Sequence, residues 1–173
     1  SAPQIAYHEK SGLWWPTDTN PDSGFEYMIR RVTDVDLAIK ACRKTAVCVQ
    51  AGGNIGLWPL RLAKSFSVVH TFEPVPHIYG ALCNNIDTGI IPHNELLGAT
   101  VGEEVPFKVQ PGGTSRVDPE GKARMKTTTI DALKLPVCDA LFLDVEGFEL
   151  HALEGARETI KMFRPVITVE IWE

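Results

Sequence analysis

Residues 1–34 carry no regular hydrophobic period; Pro, Asp, Gly, Ser and Thr surround Trp14-Trp15-Pro16. This segment is expected to be irregular and to pack on the domain that follows. Its two adjacent tryptophans either cap a core or line a substrate mouth. From Asp34 the pattern turns helical: Val35, Leu37, Ala38, Ile39, Ala41 and Cys42 share one broad face, with Thr33 or Asp34 as cap. Ala46-Val47-Cys48-Val49 is short and apolar, and predicts a buried strand that ends at Gln50-Ala51-Gly52-Gly53. A helix is predicted over 57–65, where Pro59 falls in the first turn and its missing N–H costs little. Ser67 to Phe72 predicts a second strand, ending at Glu73-Pro74. Pro76 opens a second helix through Ile78, Leu82 and Ile86, and Ile90 to Leu97 predicts a third strand.

Residues 103–130 read differently. Glu104 to Val109 alternates, Pro111-Gly112-Gly113 is a turn, and Arg124 to Ile130 alternates weakly, which predicts an antiparallel excursion. One helical turn is expected over 131–135. Asp139 to Val145 is the clearest strand. Gly147 breaks it, Glu149 to Met162 has helical spacing, Pro165 ends that helix, and Val166 to Ile171 predicts a last strand. Continuously apolar strands separated by helices imply an α/β domain over 35–173, with a mostly parallel sheet covered on both faces.

The 173 residues suit one domain, and 44% hydrophobic with 23% charged residues exclude a disordered or fibrous chain. A net charge of −5 gives no basic surface for nucleic acid. Arg30-Arg31, Arg43-Lys44, Lys122, Arg124 and Lys126 read as solvated surface. Cys42, Cys48, Cys83 and Cys138 lack C-x-x-C spacing, and the five histidines (His8, His70, His77, His93 and His151) lack ligand spacing; free thiols and no metal site are expected. No apolar run is long enough to span a bilayer, and no basic start leads into an apolar stretch, so a cytoplasmic location without membrane partner is the expectation.

Polar residues and glycines gather at the carboxyl ends of the predicted strands, where ligands bind in open α/β sheets. Gln50-Ala51-Gly52-Gly53-Asn54-Ile55-Gly56 follows the first strand, Glu73 the second, Asp144 and Glu146 the fourth, and Glu170 the fifth. Glycines let backbone approach a flat ligand, and amides at a helix start favour a negative or lone-pair-rich partner. An acid at the end of the second strand suits the two hydroxyls of a ribose. Both features fit a dinucleotide or S-adenosylmethionine. Two others favour the latter: Ala51 replaces the first glycine of the dinucleotide fingerprint, and Asp144-Val145-Glu146-Gly147-Phe148-Glu149 would repel a pyrophosphate while welcoming a sulfonium and an ammonium. Glu149 also reads as a helix-start acid.

These stretches resemble the FkbM-type methyltransferases, a branch of the S-adenosylmethionine-dependent class I fold. The likeness lies in Val49 to Gly56, Phe72-Glu73-Pro74, Thr129 to Leu133, Leu143 to Glu149 with Leu153-Glu154-Gly155-Ala156, and Arg164 through Glu170. It implies a Rossmann-like fold and transfer of a methyl group to a hydroxyl of a sugar or a polyketide-like small natural product. It implies that Gln50, Ala51, Gly52, Gly53, Asn54 and Gly56 hold the methionine end of S-adenosylmethionine. Glu73 with Pro74 would hold the ribose, and Leu97-Gly98-Ala99 would border the adenine. Asp144 and Glu146 would lie near the methyl and the acceptor, with one of Asp144, Glu146 or Glu170 as base. Gln50 stands where the family usually has an acid. The family fold usually continues past the strand at 166–171 with a helix and an antiparallel strand pair, so either the chain is trimmed there or that edge is covered by residues 1–34 or by a second copy in a homodimer. Two rival readings are an NAD-dependent oxidoreductase and a non-catalytic cofactor-binding or interaction module.

Overall fold

The strand Val47–Ala51 is buried at all five positions, which requires cover on both faces of its sheet. The computed structural model describes residues 4–170. In chain order it contains β1 (Ile5–His8), β2 (Leu13–Pro16), α1 (Pro21–Arg31), α2 (Val35–Ala41), β3 (Val47–Ala51), α3 (Leu57–Leu62), β4 (Val68–Phe72), α4 (Pro76–Asn85) and β5 (Ile90–His93). There follow β6 (Leu96–Leu97), β7 (Glu104–Lys108), β8 (Arg116–Val117), β9 (Ala123–Thr128), β10 (Ala140–Leu143), α5 (Glu149–Glu154), α6 (Arg157–Phe163) and β11 (Val166–Val169).

The central sheet has the order β11-β10-β3-β4-β5, and every pairing in it is parallel. Successive side chains point to opposite faces, and the core divides accordingly. Cys48, Val69, Ala140 and Phe142 pack with Val35, Leu62 and Phe66 under α2 and α3. Val49, Phe72, Leu141 and Leu143 pack on the other face with Leu97, Ile130, Ala152 and Ala156. This is the mostly parallel, Rossmann-like class I architecture. Strand order reverses between β3 and β10, which opens a crevice at their carboxyl ends. The predicted excursion is a second sheet, β6-β9-β7-β8, antiparallel between β7 and its two neighbours. Among the described residues no helix is long and apolar enough to cross a membrane.

Four expectations need correction. Residues 1–34 are not irregular: β1 and β2 form an antiparallel hairpin, and Asn20 caps α1 by accepting from the Asp22 and Ser23 amides. The hairpin packs on α4, where the Asn85 side chain accepts from the Trp14 amide at 2.7 Å and donates to the Trp14 carbonyl at 2.9 Å and the Ile55 carbonyl at 2.8 Å. The outer edge of β11 is paired with no strand among the described residues, so residues 1–34 do not cover it as a strand. Ile171, assigned to that strand from sequence, lies outside the described residues. The run Ile90 to Leu97 splits between two sheets, because Asn94 turns back to donate to the carbonyls of Glu73 and Pro74. The helix expected over 149–162 breaks at Gly155, which packs so closely on the Gly98 carbonyl that a Cβ would collide with it. Asp131 starts the second half by accepting from the amides of Glu158 and Thr159.

Candidate active site

A cavity of about 520 Å³ opens at the carboxyl ends of β3, β4, β10 and β11. From the predicted set, Gln50, Ala51, Gly52, Asn54, Glu73, Pro74, Leu97, Asp144, Glu146 and Glu170 line it. Gly53, Gly56, Gly98 and Ala99 do not. Gly53 and Gly56 instead let the turn pack on α4: a Cβ at either position would press on Leu82. Trp14 and Trp15 are also off this wall. Trp15 is 2% exposed, lies against Gly24 in a core with Met28, Ile55 and Ala81, and borders a smaller cavity of about 280 Å³.

The glycine turn is held from within. The Gly52 and Gly53 amides both donate to the Phe72 carbonyl, at 3.1 and 2.9 Å, and the Gly56 amide donates to the Gly53 carbonyl. The Asn54 amide donates to Glu73 Oε2 at 3.0 Å. The turn therefore does not offer these amides to a ligand anion, contrary to the expectation from its glycines. Gln50 is spent in the same way: its Nε2 donates to the Ala51 and Gly52 carbonyls, and its Oε1 accepts from the Thr71 hydroxyl. An acid at position 50 would meet those two carbonyls with no proton to give, so glutamine suits this local structure.

Glu73 is 7% exposed, with Oε2 on the Asn54 amide and Oε1 on the Val75 amide. Burial pushes its carboxyl up to about 7, and the two amides oppose that rise. Each oxygen keeps a lone pair for a further donor.

Asp144 extends β10 between two neighbours: its amide donates to the Ala51 carbonyl at 3.2 Å, while the Glu170 amide donates to the Leu143 carbonyl at 3.2 Å. The two residues follow the register pair Leu143 and Val169 of adjacent parallel strands, which sets their carboxyl groups side by side. Burial and then the Glu170 hydrogen bond and charge push Asp144 up to about 8, with smaller contributions from Glu146 and Glu149. Burial alone would also raise Glu170, but the hydrogen bonds from Asp144 and Arg31 outweigh it and leave Glu170 below its ordinary value. Asp144 Oδ1 is buried without a hydrogen-bond donor. Glu146 is raised, first by burial and then by Glu170 and Glu149, with Arg116 opposing, and it adopts a left-handed backbone (φ 49°) uncommon outside glycine. Glu149 turns back to accept from the Val145 and Gly147 amides, which fixes this loop. Among the described residues no three His, Cys, Asp or Glu side chains are grouped to hold a metal ion.

Sequence reasoning missed Arg31. It lines the cavity, and its Nη2 donates to Glu170 Oε1 at 2.8 Å, so it is not mere solvated surface. The partners lie 139 residues apart, and no local pattern links them. Tyr27 and Met28 of α1 and the turn Gly112-Gly113-Thr114-Ser115 also close the cavity.

The chain is 29% identical over 147 residues to a hexuronic acid methyltransferase from Haloferax volcanii, a match covering 79% of this chain and 60% of the relative. It superposes on a methyltransferase FkbM from Methylobacillus flagellatus with a TM-score of 0.57 and 18% identity, over 88% of this chain and 45% of that one. The chain thus spans about half to three fifths of the length of these proteins. The family model for the methyltransferase FkbM domain matches residues 50–173, well over half of the chain, and the chain belongs to that family.

Proposed function

We propose that this chain binds S-adenosylmethionine and methylates a hydroxyl oxygen on a sugar or another small natural product. The observation that carries the reading is the Asp144–Glu170 carboxyl pair on the wall of the cavity, with a buried Asp144 oxygen that lacks a donor. Such a pair suits a cationic ligand and a hydroxyl that must lose its proton. The internally engaged amides of Gly52, Gly53 and Asn54 are the wrong lining for a pyrophosphate, which argues against a nicotinamide dinucleotide.

The residues present fit the cofactor. Glu73 would accept from the ribose hydroxyls with its remaining lone pairs, Leu97 and Pro74 would border the adenine, and Gly52 and Asn54 would face the methionine end. S-adenosylmethionine supplies a methyl group on a sulfonium sulfur, already a good leaving group. The work left to the protein is orientation, which supplies roughly 7–11 kcal/mol in well-aligned reactions, and proton removal. The proton lost by the acceptor hydroxyl goes to the pair, with Asp144 as the accepting base. Glu146 borders the same space and would contact the acceptor. The hexuronic acid methyltransferase among the relatives supports a sugar as acceptor.

Calorimetric titration with S-adenosylhomocysteine, with NADH as control, tests the reading. Saturable one-site binding that weakens in Glu73→Ala is expected. A folded protein that binds neither ligand, or NADH alone, would overturn it.

A further inference from the structure

Arg31 is the last residue of α1, in the segment that precedes the family match at residue 50. Its guanidinium is engaged on three sides. Nη2 donates to Glu170 Oε1 at 2.8 Å, Nε donates to Asp34 Oδ2 at 3.2 Å, and Nη1 donates to the Tyr27 hydroxyl at 3.1 Å. Its carbon also lies 5.8 Å from the centre of the Tyr27 ring. A planar fork fixed in this way has one orientation, which an ammonium could not reproduce.

Glu170 carries this cation on one side and Asp144 on the other. Two adjacent carboxyls in a partly dry site share a proton, since like charges so close resist full ionisation. Left to burial alone, both would hold protons more tightly. A fixed cation on one member breaks that symmetry: it keeps Glu170 ionised and leaves the proton on Asp144. The other charges facing the pair are Glu146 and Glu149, both acidic, and Arg116, whose influence falls on Glu146. Arg31 is therefore the cation that balances the pair directly.

Resting on the reading of this site as a methyl-transfer centre, we propose that Arg31 is a positioning residue: reaching in from α1, it clamps the Glu170 carboxylate beside Asp144 and fixes which carboxyl carries the shared proton. Arg31 need not touch the acceptor. By holding Glu170 ionised it keeps the pair's last proton on Asp144, the carboxyl assigned as base.

The test compares wild type, Arg31→Gln and Arg31→Lys, each checked for folding by circular dichroism. Carboxyl-labelled protein is titrated by NMR, with the Glu170 signal assigned by its loss in Glu170→Gln. The Glu170 carboxyl is expected to titrate about one to two pH units higher in Arg31→Gln, and at an intermediate pH in Arg31→Lys. An unmoved Glu170 titration in folded Arg31→Gln would overturn the proposal. Failure of the wild type to bind S-adenosylhomocysteine would instead sink the cofactor reading, while the NMR titration would still decide whether Arg31 governs the pair.

Discussion

A Cβ on Gly52 would collide with the carbonyl oxygen of Asp144, so the glycine turn and the carboxylate strand meet backbone to backbone. Gly52 also has φ +86°, which side chains rarely adopt. Gly52→Ala is expected to cost about 1–3 kcal/mol from backbone strain alone and to push Asp144 away from Glu170. Urea denaturation checks the first effect and S-adenosylhomocysteine titration the second. Unchanged stability and affinity would show that the turn and strand are not in register as described.

If Glu73 accepts from the cofactor's ribose hydroxyls as proposed, cofactor affinity depends on pH. Its carboxyl is raised to about 7, and ribose hydroxyls need it ionised. S-adenosylhomocysteine should bind more tightly as pH rises from 6 to 8, releasing a fraction of a proton, which calorimetry in buffers of different ionisation heat measures. Glu73→Gln should abolish the dependence and weaken binding roughly 10- to 100-fold, the worth of one charged hydrogen bond. Stability runs the other way. Because the folded value lies above the ordinary 4.5, this group's stabilising contribution is full below 4.5 and is lost as pH climbs through about 7. Glu73→Gln should flatten that decline.

If Asp144 accepts the acceptor's proton, its ionisation limits the rate on the acid side. The rate of methyl transfer is expected to rise about tenfold per pH unit and to level off above about 8. Asp144→Ala should abolish turnover, and Asp144→Asn should lower it by roughly 10² to 10⁴. Wild-type turnover in either variant would move the base elsewhere.

Asp131 offers a control remote from the chemistry. Its carboxylate accepts from the Glu158 amide and from both the amide and hydroxyl of Thr159, and so holds the start of α6. Asp131→Ala is expected to lower stability by about 1–2 kcal/mol, as lost caps do, with S-adenosylhomocysteine affinity unchanged. A large loss of affinity would mean that α6 communicates with the cavity.

The parallel sheet was legible because its strands are apolar on both faces, and Glu73, Asp144 and Glu170 were legible because each directly follows such a strand. What escaped depended on contacts far apart in sequence. Gly53 and Gly56 look like ligand glycines but serve packing against Leu82, a distinction made only by where α4 lies. Ile90 to Leu97 reads as one strand because nothing local announces that Asn94 will bond the carbonyls that follow β4. Arg31 reaches the cavity through tertiary packing alone, so an arginine in a polar stretch looked like any surface cation.

The Asn85 side chain runs along Trp14 as a neighbouring strand would, satisfying its amide and its carbonyl together. This amide on α4, together with the core around Trp15 and Met28, moors the N-terminal arm, and with it the cation that serves Glu170. The functional unit is then longer than the stretch that the family model matches. A domain cut at residue 50 would inherit the dicarboxylate without its counter-ion, and any relative that replaces residues 1–34 would have to supply that positive charge from another direction.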